Sequence, residues 1–168
     1  VAGPRRITVY ADLNCPFSYT LNQWLLQMRL SHLVDWQGVE HMVGLTKEQA
    51  QSEEEQSKLI EELERLEASA EESHVAVCRP EYRVNSQLAL VALCRIERIW
   101  PERSVEVREL LFKAIWRDGL DIGDIEVINE LLLPYNIGDL THADTERAEV
   151  AARTNAWRNK GYDCIPMA

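Results

Sequence analysis

The sequence predicts an α/β domain into which a large all-helical block is inserted. Three observations predict it. Residues 1–45 read as strand, helix, strand; helical periodicities then follow one another from 46 to about 160; and the last residues, from Tyr162 to Ala168, return to strand-like chemistry. That return favours an insertion within one α/β unit over a separate helical domain. The organisation expected is therefore a first half at 1–45, a helical insertion at 46–140, and a return helix and loop at 141–168.

The elements can be justified in order. Arg6 to Ala11, with Ile7, Val9 and Tyr10, has the β-branched and aromatic content of a strand, and Asp12, Leu13, Asn14, Cys15 and Pro16 break it. From Phe17 to Leu30 the apolar residues Leu21, Trp24, Leu25 and Met28 recur at helical spacing, and Pro16 suits the first turn, where a missing N–H costs little. Val34 to Val43 reads as the second strand. A strand–helix–strand unit usually has parallel strands.

Between Thr46 and Glu72 ten glutamates stand against Lys47, Lys58 and Arg65, so this segment holds seven of the ten net negative charges. Its apolar stripe of Leu59, Ile60, Leu63 and Leu66 is narrow, which predicts a solvated surface helix; a contact face for a basic partner is the alternative. Asn85 to Trp100 is apolar over much of its circumference and predicts a buried helix that ends at Pro101. Ser104 is the expected N-cap of the next helix, which carries Leu110, Leu111, Ile115 and Trp116 and stops at Gly119. A short helix is expected from about Asp124 to Leu133, before Pro134. A last one follows Thr141, whose relation to Asp144 resembles a capping box, and ends at Lys160 and Gly161.

Composition narrows the function. With 46% hydrophobic and 27% charged residues the 168-residue chain suits one soluble globular domain. No apolar run approaches the roughly 18 residues of a membrane span, so no membrane partner is expected. A net charge of −10 lacks the basic footprint that nucleic acid requires. The N-terminal residues lack the apolar stretch of a secretory signal, which favours a cytoplasmic location, or a periplasmic or secreted one if a signal has been removed.

Cys15, Cys78, Cys94 and Cys164 form no CxxC pair and match no zinc spacing, so no metal is expected, and a chain this long can build its core without a disulfide framework. Cys94 falls on the apolar helix and reads as core. His32, His41, His74 and His142 are scattered and suggest no metal site or Cys–His dyad. Cys15 differs, because a cysteine at the mouth of a helix meets unsatisfied N–H groups and the positive end of the helix dipole. These favour the thiolate and make Cys15 a candidate nucleophile with a lowered pKa. On position alone, a small buried cysteine packed under the sheet edge is an equal alternative.

Asp12-Leu13-Asn14-Cys15-Pro16-Phe17-Ser18-Tyr19, following a strand, resembles the active-site opening of the DsbA-like branch of the thioredoxin superfamily. Redox members carry CPxC there. Kappa-class glutathione transferases and 2-hydroxychromene-2-carboxylate isomerases carry SPYS, and this sequence has CPFSY. Arg79 to Ala89 is similar to the family's "P…NS..A" stretch, Leu111 to Ile122 to its "lf.A.w..g.di" stretch, and Gly161 to Pro166 to its cis-proline loop. Together these cover almost the whole chain in order.

The resemblance implies a thioredoxin-like fold with a large helical insertion and a monothiol CPFS site. Cys15 would be the nucleophile and Ser18 its hydrogen-bond partner. Pro16, Phe17, Asn85, Ile165 and Pro166 would contact substrate, with Asn85 equally good as a helix cap. The implied partner is a thiol-containing small molecule or peptide, with glutathione as substrate or co-substrate and no other cofactor required. Ser18 stands where redox members have a resolving cysteine, so dithiol oxidation is not expected unless Cys164, two residues before Pro166, resolves the bond. Packing at a strand start is the plainer role for Cys164. A glutathione-dependent isomerase or transferase and a non-catalytic thioredoxin-like binding module remain the alternatives. The family continues past this proline with two antiparallel strands and a helix. Their absence implies part of a longer chain or, if the chain is complete, a sheet edge that needs a partner, with a homodimer among the options.

Overall fold

A computed structural model describes residues 5–69 and 75–168; the end of the acidic segment, His74 and the first residues of the N-terminus lie outside them. Strand β1 (Ile7–Ala11) pairs in parallel with β2 (Val34–Gly38), in a register that runs from Ile7 opposite Val34 to Ala11 opposite Gly38. Helix α1 (Pro16–Gln27) connects them. It ends three residues before its apolar pattern predicts. Arg29 turns left-handed at φ 56°, and the Leu30 N–H returns to the Leu25 carbonyl before a 3₁₀ turn at Ser31–Leu33.

The second strand also stops early. Val39 N–H still reaches the Ala11 carbonyl, but Glu40 N–H then donates to Thr154 Oγ1 and His41 N–H to Asp12 Oδ2. Side chains take the donors a longer strand would have offered to the ladder, so the chain leaves the sheet.

The insertion opens with α2 (Lys47–Ala50), capped by Thr46 in a capping box with Gln49, followed by α3 (Glu53–Ser69). Leu59 and Leu66 of the acidic helix are buried, while Ile60 and Leu63 are half-buried. The narrow stripe thus packs inward and the glutamates mostly face out. Helices α4 (Gln87–Ile99) and α5 (Ser104–Trp116) form the middle of the core with Leu93, Ile96, Leu111, Phe112, Ile115 and Trp116. Phe112 ties the insertion to the sheet, with its ring 5.8 Å from Tyr19 and edge-on to Trp36 at 5.9 Å.

Two expected caps are corrected. Ser104 is the first helical residue of α5 rather than its cap. A 3₁₀ turn at Pro101–Arg103 runs straight into the helix, and the Ser104 hydroxyl donates to the Pro101 carbonyl. Thr141 makes no capping box with Asp144; the N-cap of α7 (Asp144–Asn159) is Ala143, and Thr141 bonds to Asp139 instead. Helix α6 (Ile125–Leu132) is capped by Asp124, whose carboxylate accepts from Glu126 N–H.

After α7 the chain turns at Gly161, where φ is 75°, and reaches the free side of β1. There Met167 and Tyr10 exchange two backbone hydrogen bonds of 3.0 and 2.8 Å in an antiparallel bridge. Trp157 packs beneath this return with Tyr10 and Val39 and donates its indole N–H to the Cys164 carbonyl. The architecture is a thioredoxin-like α/β unit with a large helical insertion.

Candidate active site

The loop from Asp12 to Cys15 leaves the carboxyl end of β1 and is buried throughout. Two of its carbonyls find distant side-chain partners. The Leu13 carbonyl accepts the Trp116 indole N–H, and the Asn14 carbonyl accepts from Arg83 Nη1. The Asn14 side chain donates to the Val84 carbonyl. The insertion therefore clamps the loop from above, with α5 on one side and residues 83–84 on the other.

Cys15 is the N-cap of α1, with extended backbone, and Pro16 follows in the first turn. Its Sγ lies 3.8 Å from the Ile165 carbonyl and donates its S–H there. The Ile165–Pro166 peptide is cis, and the bridge between Met167 and Tyr10 delivers it to the thiol. Ser18, one turn into α1, is fully buried; it hydrogen-bonds the sulfur and accepts the Asp12 N–H at 3.4 Å. Cys15, Ser18, Ile165 and Pro166 thus meet, with Pro16 buried beside them and Phe17 half-buried.

The expectation of a lowered pKa is corrected. Cys15 is only 5% exposed, and burial pushes its thiol up to about 11. The Ser18 hydroxyl and the N–H groups of Ser18 and Phe17 pull the other way, as the helix terminus should, while the charge on Glu62 adds to the rise. The dipole argument identified a real influence. Desolvation of the sulfur outweighs it.

Asn85 stands one step away. Its side chain donates to the Leu45 carbonyl and accepts the Gln87 N–H, so it caps α4 one residue before the formal N-cap, Ser86. Cys164 and Cys78 are exposed free thiols, and Cys94 is buried in the core.

The sequence reading missed several polar residues around the thiol. Buried Asp12 and half-buried His41 form a pair, Oδ2 to Nδ1 at 2.7 Å, and Asp12 Oδ1 has no partner among the described residues. Glu40 is buried beside them, and burial together with the Asp12 charge raises its pKa. Arg83, 3% exposed, joins the Cys15 loop to α3 through an ion pair with Glu62 at 2.8 Å. Among the described residues its Nε lacks a partner, as do Asn14 Oδ1 and Ser86 Oγ. Only Asp12 and Asn14 could have been suspected from sequence, because they flank the cysteine. His41, Glu62 and Arg83 are brought in by the fold.

Arg83 and Asn85 also line a cavity of about 270 Å³, with Lys47, Tyr82 and Asp121. Lys47 Nζ sits 5.0 Å above the Tyr82 ring, and Tyr82 donates its hydroxyl to Asp121.

No family model matches the chain, nor does any curated protein. Solved structures do. A Nitrosomonas europaea protein provisionally described as a protein disulfide isomerase superposes with a TM-score of 0.60 at 12% identity, covering 96% of this chain and 83% of its own. A 2-hydroxychromene-2-carboxylate isomerase gives 0.61 at 16% identity over 95% and 82% of the two chains. The cytosolic disulfide reductase DsbM from Pseudomonas aeruginosa, solved with glutathione, gives 0.59 at 15% identity over 95% and 82%. At these identities the likeness shows the fold, which is the DsbA-like form of the thioredoxin fold with its helical insertion.

Proposed function

We propose that this chain is a monothiol enzyme of thiol–disulfide chemistry that acts on glutathione or glutathione mixed disulfides through Cys15. The observation that carries the reading is the placement of Cys15 Sγ against the carbonyl that precedes the cis proline. Ile165 O is a backbone acceptor on a short extended segment, which suits strand-like pairing with an extended peptide. A substrate N–H that pairs with it takes away the acceptor of the Cys15 S–H and leaves the thiol free to ionise beside Ser18. The cavity lined by exposed Lys47 offers a cation for a carboxylate of the tripeptide.

The chemistry balances with one thiol. The Cys15 thiolate attacks the glutathione sulfur of a mixed disulfide; a Cys15–glutathione disulfide forms, and the second thiol departs and regains the proton that Cys15 gave up. A glutathione thiolate then attacks the Cys15-bound glutathione, forming glutathione disulfide and restoring Cys15. Ser18 assists by hydrogen bonding the sulfur but cannot close an internal disulfide.

A second reading, a thioredoxin-like module that binds without chemistry, is favoured by one observation, the burial and raised pKa of Cys15. Incubation with glutathione disulfide near pH 7.5 separates the two. The enzyme reading expects a glutathione adduct on Cys15 in the peptide mass spectrum, formed faster than on Cys78 or Cys164 and absent in Cys15→Ser. Adducts on Cys78 and Cys164 with Cys15 unmodified would overturn it in favour of the binding module.

A further inference from the structure

The amino ends of β1 and β2 lie at the opposite pole from Cys15, which sits beyond the carboxyl end of β1. Here a cavity of about 750 Å³ opens between β2, the end of α1 and the first turn of α5. Its lining shares no residue with the thiol site. Arg108 of α5 forms part of its wall and is only 5% exposed. The guanidinium stacks 4.3 Å over the Trp36 ring and donates from Nε to Asn22 Oδ1. Asn22 in turn donates to Glu109. No acceptor among the described residues reaches Arg108 Nη2.

A buried, incompletely paired arginine is costly, and it persists where something completes it. The surroundings say what. Arg29 and Arg6 are exposed around the same cavity, His32 stands beside them, and Ser104 and Val105 bring in the positive end of α5. Three carboxylates also line the cavity, two of them engaged within it, and the Glu97 charge also acts on Arg108. Glu97 pairs with Arg153 at 2.8 Å, and Asp35 accepts from the Gln37 side chain, while Glu102 is exposed at the rim. Leu26, Val34 and Pro101 supply an apolar wall. In a chain of net charge −10 this gathering of arginines around a mixed cavity stands out.

We propose that this cavity binds a small organic anion, a carboxylate or a phosphate ester, whose oxygens complete Arg108 and face Arg29 and Arg6. A planar guanidinium with open donors suits either group, because both present paired oxygens. The left-handed turn at Arg29, φ 56°, ends α1 beside the cavity that Arg29 lines.

Calorimetric titration of the chain with inorganic phosphate, and separately with benzoate, tests the proposal. Saturable binding of either is expected, weakening as salt rises; tighter phosphate binding points to phosphate esters and tighter benzoate binding to carboxylates. Arg108→Gln should weaken binding roughly tenfold to a hundredfold, the loss expected when a charged hydrogen-bond donor is removed. Arg29→Gln, on the surface and with no core to disturb, should weaken it severalfold and leave the glutathione-disulfide reactivity of Cys15 unchanged. Absence of saturable binding by both probes would overturn the proposal. So would undiminished affinity in folded Arg108→Gln, or, should that variant not fold, undiminished affinity in Arg29→Gln.

Discussion

Iodoacetamide added to the native chain at pH 7 should leave Cys15 almost untouched. Alkylation consumes thiolate. A thiol moved from 9.0 to about 11 holds about a hundredfold less of it at neutral pH, each pKa unit being a factor of ten. Access to a residue 5% exposed slows the reaction further. Native Cys15 should therefore react at least about a hundredfold more slowly than Cys15 in the urea-unfolded chain. Exposed Cys78 and Cys164 should react at similar rates in both and serve as internal standards. The rate at Cys15 should climb steadily with pH until about 11. The same shift affects stability. Because the folded pKa lies above the unfolded one, the contribution is full below the unfolded value of 9.0 and is lost as pH rises through the folded value near 11. Melting temperature should fall over that window, and less steeply in Cys15→Ser. Time-resolved peptide mass spectrometry gives the rates. Native and unfolded Cys15 reacting alike at pH 7 would refute the reasoning.

Ser18→Ala removes a hydrogen bond that favours the thiolate and should slow Cys15 alkylation by roughly a further tenfold, measured above pH 9 where the rate is readable. Glu62→Gln removes a negative charge that raises the Cys15 pKa and half of the ion pair that holds Arg83, so alkylation should quicken severalfold while the far-UV circular dichroism is unchanged. Glu146, buried between Arg95 and Arg98, has its pKa lowered chiefly by the Arg95 hydrogen bond, so its stabilisation is present above the usual carboxylate range and lost as pH falls below it. Glu146→Gln should cost about 3 kcal/mol in urea denaturation at pH 7, and progressively less as pH falls below the usual carboxylate range. Gly38→Ala would set a Cβ 2.9 Å from Leu90 Cδ2 and should lower stability by about 1–3 kcal/mol in the same assay.

The α/β opening and the helical insertion were legible because local chemistry agrees with the fold there: alternation in β1, Pro16 at a helix start, and an all-round apolar α4. Where side chains compete for backbone donors the sequence reading failed. Thr154 and Asp12 intercept Glu40 and His41, which no strand propensity reveals. Thr46 and Thr141 each precede a helix, yet only Thr46 closes a capping box, because Asp139 takes Thr141 first. The position of Cys15 at a helix mouth was readable from the Cys15-Pro16 pair. Its burial was not, since that depends on Arg83 and Trp116, some 70 and 100 residues away, folding over the loop.

The sign of the charge around the thiol bears on how such a site could be used. Glu62, Asp12 and Glu40 lie toward the Cys15 end, and the Glu62 charge and the raised pKa of Glu40 both show that this end resists further negative charge. Ionising Cys15 in place would add one more. The S–H contact with Ile165 fits the same conclusion, since a carbonyl accepts from a thiol and repels a thiolate. One feature can reverse the balance: a substrate N–H that occupies Ile165 O. Reactivity at Cys15 is then conditional on what fills the site, so a small neutral alkylating agent and a disulfide peptide should rank the three accessible and buried thiols Cys15, Cys78 and Cys164 in opposite orders.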